Sequence, residues 1–134
     1  MYHLYLPGPH VGIWNPKCFE EPALSGPKGE IILCESIIDA LTFWCLGFRN
    51  VTCIYGTEGF SDELFQAFID NKTEIVRFAY DNDAAGNRSA ERDAARLCSV
   101  GIDCYRIHFP SGMDANAYAF LKSSVPKILV LINL

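Results

Sequence analysis

The chain has 134 residues, enough for one domain, and 50% of them are hydrophobic while 20% are charged. This balance is typical of a globular domain and excludes an intrinsically disordered chain. The net charge of -5 argues against wholesale wrapping of nucleic acid, although acidic residues gathered at one site are compatible with a basic groove elsewhere. The net charge therefore does not identify a partner.

The sequence contains six cysteines: Cys18, Cys34, Cys45, Cys53, Cys98 and Cys104. Most lie in apolar segments and none forms a C-x-x-C motif, so we expect buried free thiols of a cytoplasmic protein. The histidines show no ligand spacing with one another or with the cysteines, which argues against zinc. Met1 is not followed by the basic region of a signal peptide, and the apolar run at residues 127–134 is too short to cross a bilayer.

Residues 1–29 form a leader rich in proline and glycine, with aromatic residues between them. This composition predicts short extended pieces and turns. Residues 2–6, in which polar and apolar side chains alternate, could form one strand. Such a segment would have to pack on the following domain to be ordered. Trp14 could either cover the core or face nucleic acid, and the sequence does not choose between them.

From Glu30 onward, short apolar runs alternate with helical periods, which is the pattern of a parallel sheet with crossover helices. Four strands are predicted, at residues 31–34, 51–55, 75–80 and 104–109. The predicted helices cover residues 37–48, a segment capped by Ser61, a segment after Asp83 that ends at Gly101, and a short stretch at 116–121.

Helical periodicity predicts which side chains face the core. On the first helix these are Ile37, Leu41, Trp44 and Phe48; on the second Leu64, Phe65 and Phe68; on the third Ala90, Ala94, Leu97 and Cys98. We also expect the aromatic residues Phe43, Trp44, Phe65 and Phe68 to belong to the core rather than to base-stacking surfaces. His108 is interpreted as a packed histidine rather than a base.

Acidic side chains follow three of the four predicted strands. Glu35 follows the first, Asp81 and Asp83 follow the third, and Asp114 comes after the fourth. Because the carboxyl ends of parallel strands share one edge of the sheet, these residues can converge although they are distant in sequence. Oxygen ligands favour Mg²⁺ or Mn²⁺ over zinc, so this edge is a candidate metal site.

The individual acids differ in how strongly they indicate a metal. Asp81 and Asp83 by themselves could equally cap a helix. Glu35 is a better functional candidate, because Ser36 already suits the cap and a carboxylate at the end of a buried strand is desolvated unless a cation or donors accompany it. Asp39 stays open between a capping role and a supporting role one helical turn from Glu35.

Three arginines, Arg88, Arg92 and Arg96, repeat every four residues along the third helix. They could form a basic stripe that contacts phosphates. They could also be a solvated face that pairs with Glu91 and Asp93, and this reading is favoured for Arg92 and Arg96. Arg88 is the better candidate for a phosphate contact because it is nearest the acidic edge.

The chain resembles the Toprim domain of bacterial-type primases, type IA and II topoisomerases and some nucleases. The resemblance rests on the order of four features: Glu35, Gly56, Asp81-x-Asp83 and Ala85-Gly86. Four stretches resemble the primase branch, especially phage and mobile-element primases and primase-helicases: residues 34–41, 56–57, 81–87 and 112–116. The resemblance covers residues 30–120, and residues 6–9 and 12–15 resemble the segment that precedes Toprim in those proteins.

The resemblance implies a three-layer, Rossmann-like α/β fold with a central, mainly parallel, four-stranded sheet flanked by helices. It divides the chain into a leader (1–29) that packs on the domain, a Toprim domain (30–123) and a C-terminal segment (124–134) that we expect to be truncated. The implied activity is DNA primase activity, a Mg²⁺- or Mn²⁺-dependent nucleotidyl transfer that makes RNA primers on a DNA template.

The resemblance also implies roles for individual residues. Glu35, Asp81 and Asp83 would be catalytic and would bind the metal, with Asp39 and Asp114 as further metal-binding positions. Residues that would contact phosphates or nucleic acid are Gly56, Thr57, Arg88 and Asn116. Asn116 stands where many cellular primases have a second acid, which argues against a full second metal site, although an amide oxygen can still coordinate a cation or orient water.

The implied partners are single-stranded DNA and nucleoside triphosphates, with zinc-binding and helicase regions in a parent protein. We expect the fragment to bind metal but to make primers weakly or not at all.

The alternative function is that of a Toprim nuclease or topoisomerase, and a topoisomerase needs a nucleophilic tyrosine on a separate domain. A phosphotransferase or receiver-like domain is disfavoured because no lysine occurs between Lys72 and Lys122. A degenerate assembly domain is disfavoured because Glu35, Asp81 and Asp83 are all present.

Overall fold

A computed structural model describes residue 8, residues 11–21, 29–55 and 60–109, and the backbone of residues 130–133. The predicted strand at 2–6 and the short helix at 116–121 lie outside the described residues. So do four candidate site residues: Gly56, Thr57, Asp114 and Asn116.

Strands and helices alternate along the described chain, as the sequence predicted. The elements are β1 (Glu30–Cys34), α1 (Ile37–Cys45), β2 (Val51–Cys53), α2 (Asp62–Asp70), β3 (Ile75–Ala79), α3 (Ala84–Cys98), β4 (Asp103–His108) and β5 (Val130–Asn133). Ser61 caps α2 as predicted, since its hydroxyl accepts a hydrogen bond from the Leu64 backbone N–H at 3.1 Å.

The sheet has the strand order β2-β1-β3-β4-β5. Strands β1 to β4 are parallel, which confirms the four predicted strands, and β3 lies centrally between β1 and β4. A fifth strand was not predicted: β5 pairs antiparallel with β4, with Val130 opposite His108. A four-residue edge strand is hard to recognise in sequence because its pairing depends on the strand beside it.

Helices cover both faces of the sheet and produce three layers. Along β1, Ile31 and Leu33 point into a core shared with α2 and α3, whereas Ile32 and Cys34 point into a core shared with α1. This alternation follows from the two-residue period of a strand, and the continuous apolar run of β1 reflects its burial on both faces. The fold confirms the three-layer, mainly parallel α/β architecture.

The predicted inward face of α1 was partly wrong. Leu41 is 42% exposed and Trp44 is 40% exposed, while Asp39, Ala40 and Phe43 are buried. Since α1 is apolar nearly all round, its periodicity does not select a face. Trp44 is instead covered on one side by Arg49, whose guanidinium carbon lies 3.3 Å from the ring centroid.

The other core predictions for the helices were mostly confirmed. Phe43 and Phe68 are buried, and Phe65 packs against the core. Cys98 was predicted to face inward but is exposed. All six cysteines are free, and four of them are buried. None of the helices in the described ranges is both long enough and apolar enough to span a lipid bilayer.

Part of the leader packs against the sheet. A 3₁₀ turn at Pro16–Phe19 buries Cys18 completely among core residues. The Thr52 hydroxyl donates to the Trp14 carbonyl at 2.5 Å, and the Asn15 amide donates to the Val51 carbonyl at 2.8 Å. Trp14 itself packs against the α1 core, so the alternative left open by the sequence is decided in favour of packing.

Candidate active site

Glu35 lies at the carboxyl end of β1, directly after four buried strand residues. Only 9% of its surface is exposed, and its Oε1 atom has no hydrogen-bond partner. Buried carboxylate oxygens normally accept hydrogen bonds or contact cations, because desolvating an unpaired one costs several kcal/mol. A buried carboxylate oxygen without a hydrogen-bond partner is expected where the carboxylate binds a cation.

The turn between β3 and α3 carries the two aspartates. Asp81 is half-buried, whereas Asp83 is exposed and caps α3, with its Oδ1 accepting from the Gly86 backbone N–H at 2.6 Å. The capping alternative for the aspartate pair therefore holds for Asp83. A carboxylate at a helix N-terminus also interacts favourably with the helix dipole.

Gly86 allows the first turn of α3 to lie directly on the Asp81 backbone and the Glu35 side chain. A Cβ atom at this position would come within 2.1 Å of the Asp81 carbonyl oxygen and 3.0 Å of the Glu35 Oε1. Any side chain would push the first turn of α3 away from the ends of β1 and β3. The Ala85-Gly86 pair was part of the family resemblance, but this packing role was visible only in the structure.

The charge state of Glu35 reflects its surroundings. Burial, followed by the negative charge of Asp81, raises the pKa of Glu35 from 4.5 to about 7, and Asp83 adds to this effect. A hydrogen bond from the Asp81 backbone and the charge of Arg106 act in the opposite direction, but they lower this pKa by less. A cation bound beside Glu35 would favour the charged form of this carboxylate.

Arg106 on β4 lies against this acidic edge, and it was not among the residues predicted from the sequence. It is 3% exposed, and its guanidinium donates to the carbonyls of Tyr80 at 2.6 Å and Asp81 at 2.8 Å. It also reaches the Phe78 carbonyl at 3.3 Å and the Asn87 side-chain oxygen at 3.1 Å. The signal that could have revealed it is an arginine directly beside Ile107 in a strand whose even-numbered position Cys104 also faces the interior.

Asp39 is buried and takes part in the cap of α1. The Ser36 hydroxyl accepts from the Asp39 backbone N–H at 3.2 Å and donates to the Asp39 Oδ2 at 2.8 Å. These two bonds confirm the predicted cap by Ser36. A metal-binding role for Asp39 stays a prediction.

Two of the three arginines on α3 are engaged in contacts with other residues of the domain. Arg96 pairs with Asp62 at 2.5 Å and lies over the Phe65 ring, and Arg92 pairs with Asp93 at 2.9 Å. The Arg92–Asp93 pair confirms the preferred interpretation for Arg92, whereas for Arg96 the predicted local pairing was wrong because its partner Asp62 lies on α2. Arg88 is exposed near the start of α3, and its phosphate contact stays a prediction.

A buried tyrosine connects the end of β3 to α3. The Tyr80 hydroxyl donates to the Asp93 Oδ2 at 2.8 Å, and both residues are almost inaccessible to solvent. Tyr80→Phe would leave this carboxylate oxygen without its donor, so we expect the free energy of unfolding to fall by about 1–3 kcal/mol. Denaturant unfolding measures this change.

Tyr105→Phe is the matched control for Tyr80→Phe, because Tyr105 is only half-buried on the neighbouring strand. We expect its free energy of unfolding to stay within about 0.5 kcal/mol of the unsubstituted chain. Equal stabilities of the two variants would show that the Tyr80–Asp93 bond does not anchor α3.

The structure brings some of the candidate residues together. Glu35, Asp81 and the α3 cap residue Asp83 share one edge of the sheet, as the parallel topology predicted. Within the described ranges, however, no three metal-ligating side chains already converge on a single point. One oxygen of Asp83, Oδ1, is occupied by the Gly86 backbone N–H.

The chain belongs to the Toprim-like family, whose model matches residues 32–119. It is 33% identical over 89 residues to the DNA primase of Staphylococcus aureus strain COL, and this match covers 66% of the chain. The DNA primase of Staphylococcus epidermidis is 29% identical over 91 residues. The chain spans only 14–15% of the length of these relatives.

Solved primase structures share the fold. A DNA primase domain from Pseudomonas aeruginosa superposes with a TM-score of 0.65 at 20% identity, covering 82% of this chain and 34% of that one. The Aquifex aeolicus primase gives a TM-score of 0.63 at 23% identity, covering 78% and 27%. The chain is therefore a Toprim domain homologous to part of DNA primases, which confirms the resemblance to the primase branch, while the likeness to phage and mobile-element primases stays a prediction.

Proposed function

We propose that this chain supplies the metal-binding acids of a DNA primase and supports template-directed synthesis of RNA primers for DNA replication. The observation that carries the proposal is the buried, unpartnered Glu35 Oε1 beside Asp81 under the first turn of α3. The similarity to curated DNA primases supports the same reaction class.

The residues fit a hard divalent cation. Glu35, Asp81 and Asp83 provide only oxygen atoms, the donor type that Mg²⁺ and Mn²⁺ prefer, and Asp114 and Asp39 are the proposed additional positions. When bound, the metal would neutralise triphosphate charge and activate the primer 3′-hydroxyl for in-line attack. Glu35 and Asp81 keep the negative charge close together so that the cation has a strong local attraction.

Asp83 can serve both the helix and the metal. Its Oδ1 accepts the Gly86 N–H, and a carboxylate has a second oxygen that can contact a cation. Asparagine caps helices about as well as aspartate. Asp83→Asn therefore separates the two roles, because it retains the cap and removes the negative charge.

We expect Asp83→Asn to unfold at the same temperature as the unsubstituted chain but to bind Mn²⁺ at least about tenfold more weakly. Mn²⁺ titration followed by electron paramagnetic resonance measures the affinity. Glu91→Gln is the control, since it removes one exposed charge from the same helix. Unchanged Mn²⁺ affinity in Asp83→Asn, or an equal loss in Glu91→Gln, would contradict the site assignment.

The proposed substrates are single-stranded DNA and nucleoside triphosphates, with Gly56, Thr57, Arg88 and Asn116 as proposed contacts to phosphates. A primase catalytic domain that superposes on this chain with a TM-score of 0.56 has been solved bound to single-stranded DNA. We place the activity in the cytoplasm, together with the zinc-binding and helicase regions of a parent protein.

A primer-synthesis assay with the purified chain tests the reaction. We expect Mn²⁺ binding but weak or absent primer synthesis, because the chain spans only 14% of the length of its primase relatives. Robust synthesis would show that the fragment is sufficient. Metal-dependent nicking without nucleotide incorporation would instead favour the nuclease or topoisomerase class.

A further inference from the structure

Arg106 is a buried cation whose hydrogen-bond partners are neutral oxygens. Its Nη1 contacts the carbonyls of Phe78 and Tyr80, and its Nη2 contacts the Asp81 carbonyl and the Asn87 side chain. Burying a charged group costs several kcal/mol even when it is hydrogen-bonded. An apolar side chain could fill the same space, so packing alone does not account for an arginine here.

The hydrogen-bond partners of Arg106 lie at both ends of the segment from residue 80 to residue 87. Tyr80 and Asp81 lie at the start of the turn, whereas Asn87 lies in the first turn of α3. The planar guanidinium can reach both sides at once because its donors form a fixed fork. The segment between them, which contains Asp83 and Gly86, is thereby attached to β4 at its two ends.

A second bond attaches the same turn to β4. The Asn82 side-chain amide donates to the Phe109 carbonyl at 2.5 Å, just beyond the end of the strand. The cap of Asp83 on Gly86 holds the other end of the turn to α3. The two cross-strand attachments restrict where Asp81 and Asp83 can lie relative to Glu35.

We propose that Arg106 is a positioning residue, whose forked hydrogen bonds hold the backbone of the turn bearing Asp81 and Asp83 next to Glu35, so that only side-chain rotation is left to complete the cation site. This inference rests on the proposed function and assigns a residue from the neighbouring strand to the support of that site. Preorganised ligands bind more tightly because less ordering is required on binding.

The sign of the effect separates positioning from charge. By Coulomb's law alone, removing a positive charge near a cation site should strengthen binding of the cation. We expect the opposite for Arg106→Gln, which should bind Mn²⁺ at least about tenfold more weakly, as is typical when a group supporting a metal ligand is lost. Arg106→Lys retains the charge but lacks the fork, and should also bind at least a few-fold more weakly.

The experiment compares Mn²⁺ affinity by electron paramagnetic resonance at a temperature where each variant is folded by circular dichroism. Arg77→Gln is the control, since Arg77 pairs with Glu30 and occupies the same sheet away from the acidic edge. It should retain the affinity of the unsubstituted chain. Arg106→Gln binding Mn²⁺ as tightly as the unsubstituted chain, or Arg106→Lys retaining full affinity, would overturn the inference.

Asn87→Ala covers the case in which the Arg106 variants fail to fold. Asn87 is exposed, and alanine is well tolerated in helices, so this variant should fold. Loss of its bond to Arg106 should weaken Mn²⁺ binding a few-fold, and unchanged affinity would count against the inference. No Mn²⁺ binding by the unsubstituted chain would overturn the proposed function itself, whereas normal binding in all these variants would overturn only the role of Arg106.

Discussion

Gly86→Ala is expected to lower the free energy of unfolding by about 3 kcal/mol and to abolish Mn²⁺ binding at the acidic edge. The added Cβ would lie 2.1 Å from the Asp81 carbonyl oxygen, and that oxygen belongs to the backbone and cannot rotate away. Alanine favours helix over glycine by about 1 kcal/mol, which is too little to offset this clash. The first turn of α3 must therefore move, and Glu35 and Asp83 lose their relative positions.

Denaturant unfolding and Mn²⁺ titration measure the two effects of Gly86→Ala. Ala85→Gly is the matched control, because residue 85 is exposed in the same helical turn. It removes a methyl group without creating a contact. The free energy of unfolding should therefore fall only by the difference in helix propensity between alanine and glycine, about 1 kcal/mol, and Mn²⁺ binding should be retained. A Gly86→Ala variant as stable as the unsubstituted chain would disprove the close approach of α3 to the strand ends.

Glu35→Gln is expected to make the metal-free protein more stable at neutral pH and to remove most of its Mn²⁺ affinity. The folded state raises the pKa of Glu35 from 4.5 to about 7 by burial and by the charge of Asp81. The folded state thus favours the protonated acid, so stability of the unsubstituted chain should fall as the pH rises from about 4.5 to about 7. Above pH 7 the free energy of unfolding should be lower than below pH 4.5 by up to about 3 kcal/mol from this one group.

The neutral glutamine has no such titration, so Glu35→Gln should lack this fall in stability. Unfolding measured at pH 5 and pH 8 with a chelator tests the prediction, and saturating Mn²⁺ at pH 8 should reverse the order of stability. Glu91→Gln, which changes an exposed acid, should follow the unsubstituted chain. Parallel pH profiles for Glu35→Gln and the unsubstituted chain would contradict a desolvated carboxylate at this position.

Together these two predictions describe a cluster of groups whose arrangement lowers stability as long as no cation is bound. Glu35 is held next to like charge and away from water, which costs stability without a cation. Gly86 permits that arrangement because it has no side chain. The same groups that destabilise the metal-free state would stabilise the metal-bound state, as expected where strain and unpaired charge gather at functional positions.

Several features could be predicted from local sequence because their causes are local. The apolar runs of β1 and β3 predict buried strands, and Ser61 and Ser36 predict helix starts through their own hydroxyl groups. The parallel topology then places Glu35 and Asp81 at one edge, because every parallel strand ends there. The family resemblance rests on the same local stretches.

The sequence by itself therefore determined the alternation of strands and helices, the edge that carries the acids and the family. Only the tertiary structure decided which face of α1 is buried, where β5 pairs, that Asp83 caps α3, and which carbonyls Arg106 binds. These outcomes depend on atoms contributed by residues far apart in the chain, such as the Asp81 carbonyl that Gly86 and Arg106 both approach. Periodicity and capping patterns describe a residue and its near neighbours, so they contain no information about such contacts.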